Sequence, residues 1–209
     1  MTEQRVSFPT SDGLQLESRF FRGEKGRGSI ILCHPHPLYG GDMDNNVIVA
    51  LQGALAQKGF STLRFNFRGV GKSEGAYSEG TAELEDVQAA VAFVAGEDAG
   101  PLYLGGYSFG AYAGVRSVAQ DDRVKALVCI SPPTAIYDFA SLRGELRPKL
   151  IVAGKRDLIC PAMLVEELFL SLPEPKALHI VAGADHFWWG IEDQVAGYVV
   201  DFLQGLWRG

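Results

Sequence analysis

Gly106-Tyr107-Ser108-Phe109-Gly110 follows Pro101-Leu102-Tyr103-Leu104-Gly105, a short apolar run that reads as a buried strand. It precedes residues 111–119, which have helical character and small side chains. A serine in that setting sits where a strand turns sharply into a helix, the Gly-x-Ser-x-Gly pattern of a nucleophile elbow. The turn strains the serine backbone and brings strand and helix too close for side chains at the flanking positions, so glycine is required there. The new helix also offers free N–H groups to a developing negative charge. With 25 glycines in the chain, the pattern can arise by chance. An ordinary strand-to-helix loop is therefore the competing explanation, and the surrounding sequence has to decide.

Working outward, residues 6–8 and 14–21 read as two opening strands around a turn at Thr10-Ser11-Asp12-Gly13. Alternation at Leu14, Leu16, Ser18 and Phe20 suggests a half-exposed edge hairpin. Residues 29–33 form a continuous apolar strand, followed by the loop His34-Pro35-His36-Pro37-Leu38-Tyr39-Gly40-Gly41. Helical spacing runs over 45–58 and ends at Gly59, a natural cap. A strand over 61–67 and a helix over 81–95 follow, the helix opening with Glu83, Glu85 and Asp86 as its dipole favours. Further strands are expected at 102–105, 124–130, 150–153 and 178–181, with helices near 162–172 and 192–206. Strands alternating with helices predict an α/β fold, a mostly parallel sheet of about eight strands covered on both faces. Without linker, repeat or low-complexity segment, residues 1–209 read as a single domain. From 131 to 149 there is room for a short helix or loop but not for a large cap domain.

Composition agrees with one domain and a sizeable core: 209 residues, 47% hydrophobic and 21% charged. The formal charge of −6 and the lack of a basic run argue against a nucleic-acid partner. No apolar stretch reaches the length of a membrane span, and the N-terminus lacks the apolar core of a signal peptide. Cys33, Cys129 and Cys160 have no metal-type spacing and read as reduced, mostly buried thiols of a cytoplasmic protein.

A serine hydroxyl needs a base within hydrogen-bond reach. Of the four histidines, His179 lies inside a strand, and His34 and His36 precede the serine in the loop after the third strand. His186 comes directly after the last strand, on the side of a parallel sheet where active sites gather. It is the expected base. The base in turn needs a carboxylate to fix its tautomer. Asp157, on the loop after residues 150–153, is expected to supply it. Asp138 and Asp185 are rivals, the second hampered by being the immediate neighbour of His186. The chain order Ser108, Asp157, His186 distinguishes this arrangement from those of the chymotrypsin and subtilisin types. For an oxyanion hole, the backbone N–H of Phe109 is one expected donor. The other falls in residues 34–41, where Pro35 and Pro37 have no N–H; His36 is the best placed, with Leu38 and Tyr39 behind it.

With these residues in view, the chain resembles a small member of the α/β-hydrolase superfamily over essentially its full length. His34-Pro35-His36-Pro37 stands where many relatives have His-Gly, and Arg68-Gly69-Val70-Gly71-Lys72-Ser73 resembles their loop after the fourth strand. The His-Pro-His-Pro-x-x-Gly-Gly loop, in a chain of this length, resembles a compact bacterial group without a cap. The resemblance implies a cofactor-free serine hydrolase acting on a small-molecule acyl substrate, an ester before an amide. The same residues would serve acyl transfer, and a non-catalytic binding protein on this fold is the alternative of another class. Leu38, Tyr39, Phe187 and Trp188 are expected to line the substrate space, with Met43 at its rim.

Two other motifs fail on spacing. Gly71-Lys72-Ser73 lacks the upstream glycine of a phosphate loop, since Asn66 stands there, and no helix opens at the Lys-Ser pair. His34, His36, Asp42 and Asp44 have no strict ligand pattern, so no metal is expected.

Overall fold

The structure, a computed structural model, describes residues 3–207. β1 (Gln4–Pro9) and β2 (Gln15–Phe21) form an antiparallel hairpin at one edge of an eight-stranded sheet. β3 (Ser29–Cys33), β4 (Ser61–Phe65), β5 (Leu102–Tyr107), β6 (Val124–Ile130), β7 (Lys149–Gly154) and β8 (Lys176–Val181) run parallel to one another. The order across the sheet is β1-β2-β4-β3-β5-β6-β7-β8. The chain steps from β3 outward to β4 and then crosses back to β5, so the order reverses between β3 and β5. In open α/β sheets the crevice at the carboxyl ends of such a pair is where ligands bind.

Among the described residues, five helices cover the sheet. α1 (Asn46–Gln57) and α5 (Glu192–Trp207) lie on one face; α2 (Glu83–Glu97), α3 (Phe109–Ser117) and α4 (Ala162–Ser171) lie on the other. The two-residue period of the strands deals their side chains to two separate cores. Ile31, Leu104, Cys129 and Ile151 pack with α2, α3 and α4, whereas Ile30, Leu32, Val128 and Val152 pack with α1 and α5. That is why the central strands read as continuous apolar runs: both faces are buried. The connection from β6 to β7 holds one 3-10 turn, Ala140–Gly144, and no cap.

Two boundaries shift from the expected ones for the same reason. β4 ends at Phe65, not residue 67, because Asn66 and Phe67 turn out of the ladder: Asn66 Oδ1 accepts from the Met43 N–H at 2.8 Å, and the Phe67 N–H donates to His34 Nε2 at 3.1 Å. α2 starts at Glu83, two residues late, because the preceding loop borrows its acids. The buried Glu83 carboxylate accepts the N–H groups of Ser78 and Gly80, at 2.6 and 2.9 Å. Asp86 accepts from the Arg68 backbone and guanidinium at 2.7–2.9 Å. The acidic first turn thus does more than answer the helix dipole; it pins the whole segment between β4 and α2. Among the described residues, no helix is long and apolar enough to cross a membrane.

Candidate active site

β5 ends in the elbow. Ser108 has φ 55° and ψ −119°, a left-handed backbone costly for a residue with a Cβ. Its N–H donates to the Ile130 carbonyl at 2.8 Å and its carbonyl accepts from Ala111 at 3.0 Å, so both neighbours hold the strained residue in place. A Cβ at Gly106 would run into the backbone of Gly110 and Ala111, and one at Gly110 into the carbonyl of Cys33 at the end of β3. The two glycines therefore let α3 start directly against β3. Phe109, first residue of α3, keeps an N–H with no intrahelical acceptor.

Three of the residues singled out from sequence meet here. His186 Nε2 lies 3.1 Å from Ser108 Oγ, and His186 Nδ1 lies 2.8 Å from Asp157 Oδ2. All three residues are buried. The other Asp157 oxygen accepts the N–H groups of Ile159 and Cys160, at 2.9 and 2.7 Å. A carboxylate can only accept, so Nδ1 of His186 carries its hydrogen, and Nε2 presents a lone pair to the serine hydroxyl. The two rival acids are elsewhere: Asp138 is exposed and accepts from the Ala140 N–H, and Asp185 is exposed and accepts from the Phe187 N–H.

The loop after β3 separates the candidate oxyanion donors by the hydrogen bonds they already make. Leu38 gives its N–H to His36 Nδ1 at 3.2 Å, and Tyr39 gives its N–H to the His36 carbonyl at 3.1 Å. Among the described residues, neither the His36 nor the Gly40 amide finds an acceptor, and of the two it is His36 whose ring packs against Phe109. Because Nδ1 of His36 accepts, its Nε2 carries the hydrogen and donates to Tyr77 Oη at 3.0 Å. The His36 ring packs against Tyr39, Tyr77 and Phe109 with centroids 4.7–5.2 Å apart. Burial holds His36 below the usual histidine range, which keeps this neutral tautomer.

His34 is a brace. Its Nδ1 donates to the Pro35 carbonyl at 2.6 Å and its Nε2 accepts from Phe67, tying the loops after β3 and β4 together. Both nitrogens are used inside the protein, so His34 and His36 do not form a ligand pair. Burial pushes the His34 imidazole down to about 4 from its ordinary 6.5. The unfolded chain therefore takes up this proton before the folded one does, and stability falls as pH drops from about 6.5 to about 4. The shift amounts to about 3 kcal/mol across that window. In an NMR titration the His34 ring signals should stay unmoved until about pH 4, with the urea midpoint falling through the same range. Titration of His34 near 6.5 would contradict this burial.

Leu38, Tyr39 and Phe187 are exposed around the site, and the Phe187 ring stands 5.7 Å from the His186 ring. Trp188 and Met43 are corrections. Trp188 is fully buried beneath α5, with φ 60°, and its indole N–H donates to Ser131 Oγ at 3.1 Å; it walls no open space. Ser131, at the end of β6, has φ 43°, so a left-handed residue on one post-strand loop anchors one on another. Met43 is buried with its backbone held by Asn66.

Sequence reasoning missed Tyr107, Cys160 and Tyr77. The Tyr107 hydroxyl donates to the His186 carbonyl and its ring packs 5.5 Å from the imidazole, so the residue before the serine also seats the histidine. Cys160 Sγ donates to the Ser131 carbonyl at 2.9 Å and lies 3.6 Å from His186 Nδ1. The strand alternation that puts Tyr107 on the α1 and α5 side was the one available clue; nothing local marks the other two.

The family profile described as "Alpha/beta hydrolase domain" matches residues 27–192. The chain belongs to the α/β-hydrolase family. This hydrolase is 32% identical to an uncharacterised protein of Rickettsia prowazekii over 90% of its own length and 84% of the relative's. It is also similar to an α/β serine hydrolase homologue from Coxiella burnetii, at 36% identity with a TM-score of 0.88 over 96% and 97% of the two chains. A serine hydrolase without lid from Xanthomonas campestris superposes on this hydrolase with a TM-score of 0.89 at 26% identity, over 99% and 95% of the chains. The lack of a lid there agrees with the short β6–β7 connection here.

Proposed function

We propose that this hydrolase cleaves a carboxylic ester or related acyl compound through Ser108, His186 and Asp157, by way of an acyl-enzyme. The observation that carries the proposal is the unbroken contact from Ser108 Oγ to His186 Nε2 and from His186 Nδ1 to Asp157. Ser108 Oγ attacks the carbonyl carbon while His186 Nε2 takes the hydroxyl proton. The carbonyl oxygen becomes an oxyanion facing the amides of Phe109 and His36. His186 then gives its proton to the leaving alcohol as the tetrahedral intermediate collapses to the Ser108 ester. Water, deprotonated by His186, repeats the sequence and releases the acid. Asp157 keeps Nδ1 protonated throughout and stabilises the imidazolium. Each oxyanion donor in such a site contributes roughly 3–4 kcal/mol.

The His34-Pro35-His36-Pro37 loop supports reading the chain as one of the compact bacterial group that carries it. Three buried, unpaired cysteines fit a reducing compartment such as the cytoplasm. Incubation with a fluorophosphonate probe should give a single adduct that maps to Ser108. Adducts at another residue, or none on well-folded protein, would overturn the mechanism. The second outcome would favour a binding protein on the same fold.

A further inference from the structure

The carboxyl edge of the sheet is unusually apolar for a surface. Leu38 and Tyr39 after β3, Ile136 after β6, Leu158 after β7, and Phe187 and Trp189 after β8 are 52–93% exposed. Ile159 and Met163 stand beside Leu158 in the same loop and the opening of α4. Among the described residues, the other large exposed apolar ones, Val49, Leu146 and Leu170, are scattered on α1, ahead of β7 and at the end of α4. Single exposed apolar residues need no explanation, but a set gathered on one face marks an interaction surface.

Its position says what covers it. Ser108 follows β5, which lies between β3 on one side and β6, β7 and β8 on the other, so the apolar loops flank the serine in both directions along the sheet. A single acyl chain cannot cover side chains spread over four loops. A groove of about 420 Å³ between the β6–β7 connection and α4 carries Asp138, Arg143 and Glu167 among its lining and suits a long acyl chain poorly. A protein seated on this rim would seal the serine from substrate. A lipid surface would cover the rim and supply the scissile bond at once. The loops carry charges of both signs, with Lys155 and Arg156 near Leu158 and Asp185 before Phe187. The protein as a whole is at −6, so the surface needs no anionic headgroup.

We infer that this rim docks on a neutral lipid surface and that the substrate is an acyl ester held in such an assembly. The inference rests on Ser108 being the nucleophile proposed above. Ser108→Ala protein, which cannot turn substrate over, would be sedimented with phosphatidylcholine vesicles, alone and with Leu158→Asp and Trp189→Asp added. The Ser108→Ala protein should co-sediment, and the added charges should weaken its partition at least tenfold with the circular dichroism spectrum unchanged. In the active background the same two charges should leave the rate on a water-soluble short-chain ester within about twofold. They should lower the rate on a micellar ester at least tenfold. Absence of vesicle binding, or binding indifferent to the two charges, would overturn the inference. So would a dimer that the charges dissociate, since a second copy would then be the occupant. An inactive but vesicle-binding wild type would fail the nucleophile and leave the docking surface standing.

Discussion

Asp157→Asn should lower kcat by roughly 10⁴-fold, and Ser108→Ala by roughly 10⁵–10⁶-fold, on any ester the protein accepts. The first figure follows from where the hydrogens must go. One carboxylate oxygen of Asp157 receives the Ile159 and Cys160 amides, and the other receives His186 Nδ1. An asparagine in that cradle has to keep its carbonyl oxygen toward the two backbone donors. Its NH₂ then faces His186. Two donors cannot meet, so the imidazole shifts its hydrogen to Nε2, where it can no longer accept the serine proton. Geometry is preserved while the base is switched off. Asp138→Asn provides the contrast: its carboxylate only caps the Ala140 amide, and kcat should stay within about twofold of wild type. Steady-state rates on a chromogenic ester, with matched circular dichroism spectra, check both. A Asp157→Asn variant within tenfold of wild type would remove Asp157 from the relay.

The second large effect concerns stability. Asp86→Ala should cost about 3–5 kcal/mol, a large part of the 5–15 kcal/mol that holds a typical domain folded. Asp86 is fully buried and takes three hydrogen bonds from Arg68, whose guanidinium is nearly as buried. Burial raises the Asp86 carboxyl above its ordinary range despite the adjacent guanidinium, so the pair contributes little net over an apolar one. Removing only the acid is different. Arg68 would keep the half-exposed Asp12 and lose its buried partner, leaving desolvated donors without acceptors. Arg68→Met combined with Asp86→Leu should recover much of the loss, short of the Arg68 backbone N–H that also needs Asp86. Urea melts of the wild type and these two variants measure this. Equal stability of Asp86→Ala and wild type would contradict the assignment.

The parallel strands were legible because both faces of β3, β5, β6 and β7 are buried, which writes unbroken apolar runs into the sequence. Ser108 and Asp157 stood out because each follows such a run, and His186 because it comes directly after the partly buried β8; the fold brings the ends of these parallel strands to one edge. Residues whose role depends on an approach from elsewhere were not legible. Trp188 looked like pocket wall because aromatic residues surround it in the chain, yet the indole turns inward to Ser131, more than fifty residues away. Tyr77 meets His36 only after the segment pinned by Glu83 and Asp86 folds back over the β3 loop. Local patterning carries no record of such pairings.

The inward turn of Trp188 has a consequence for how this scaffold can diversify. Its neighbours Phe187 and Trp189 project outward from a loop whose position is fixed by the buried indole and by the Tyr107 tether to His186. Positions 187 and 189 can therefore accept many side chains while the histidine between strand and anchor keeps its place. New substrate preferences become accessible to single substitutions, in a lineage or in a directed library, without passing through inactive intermediates.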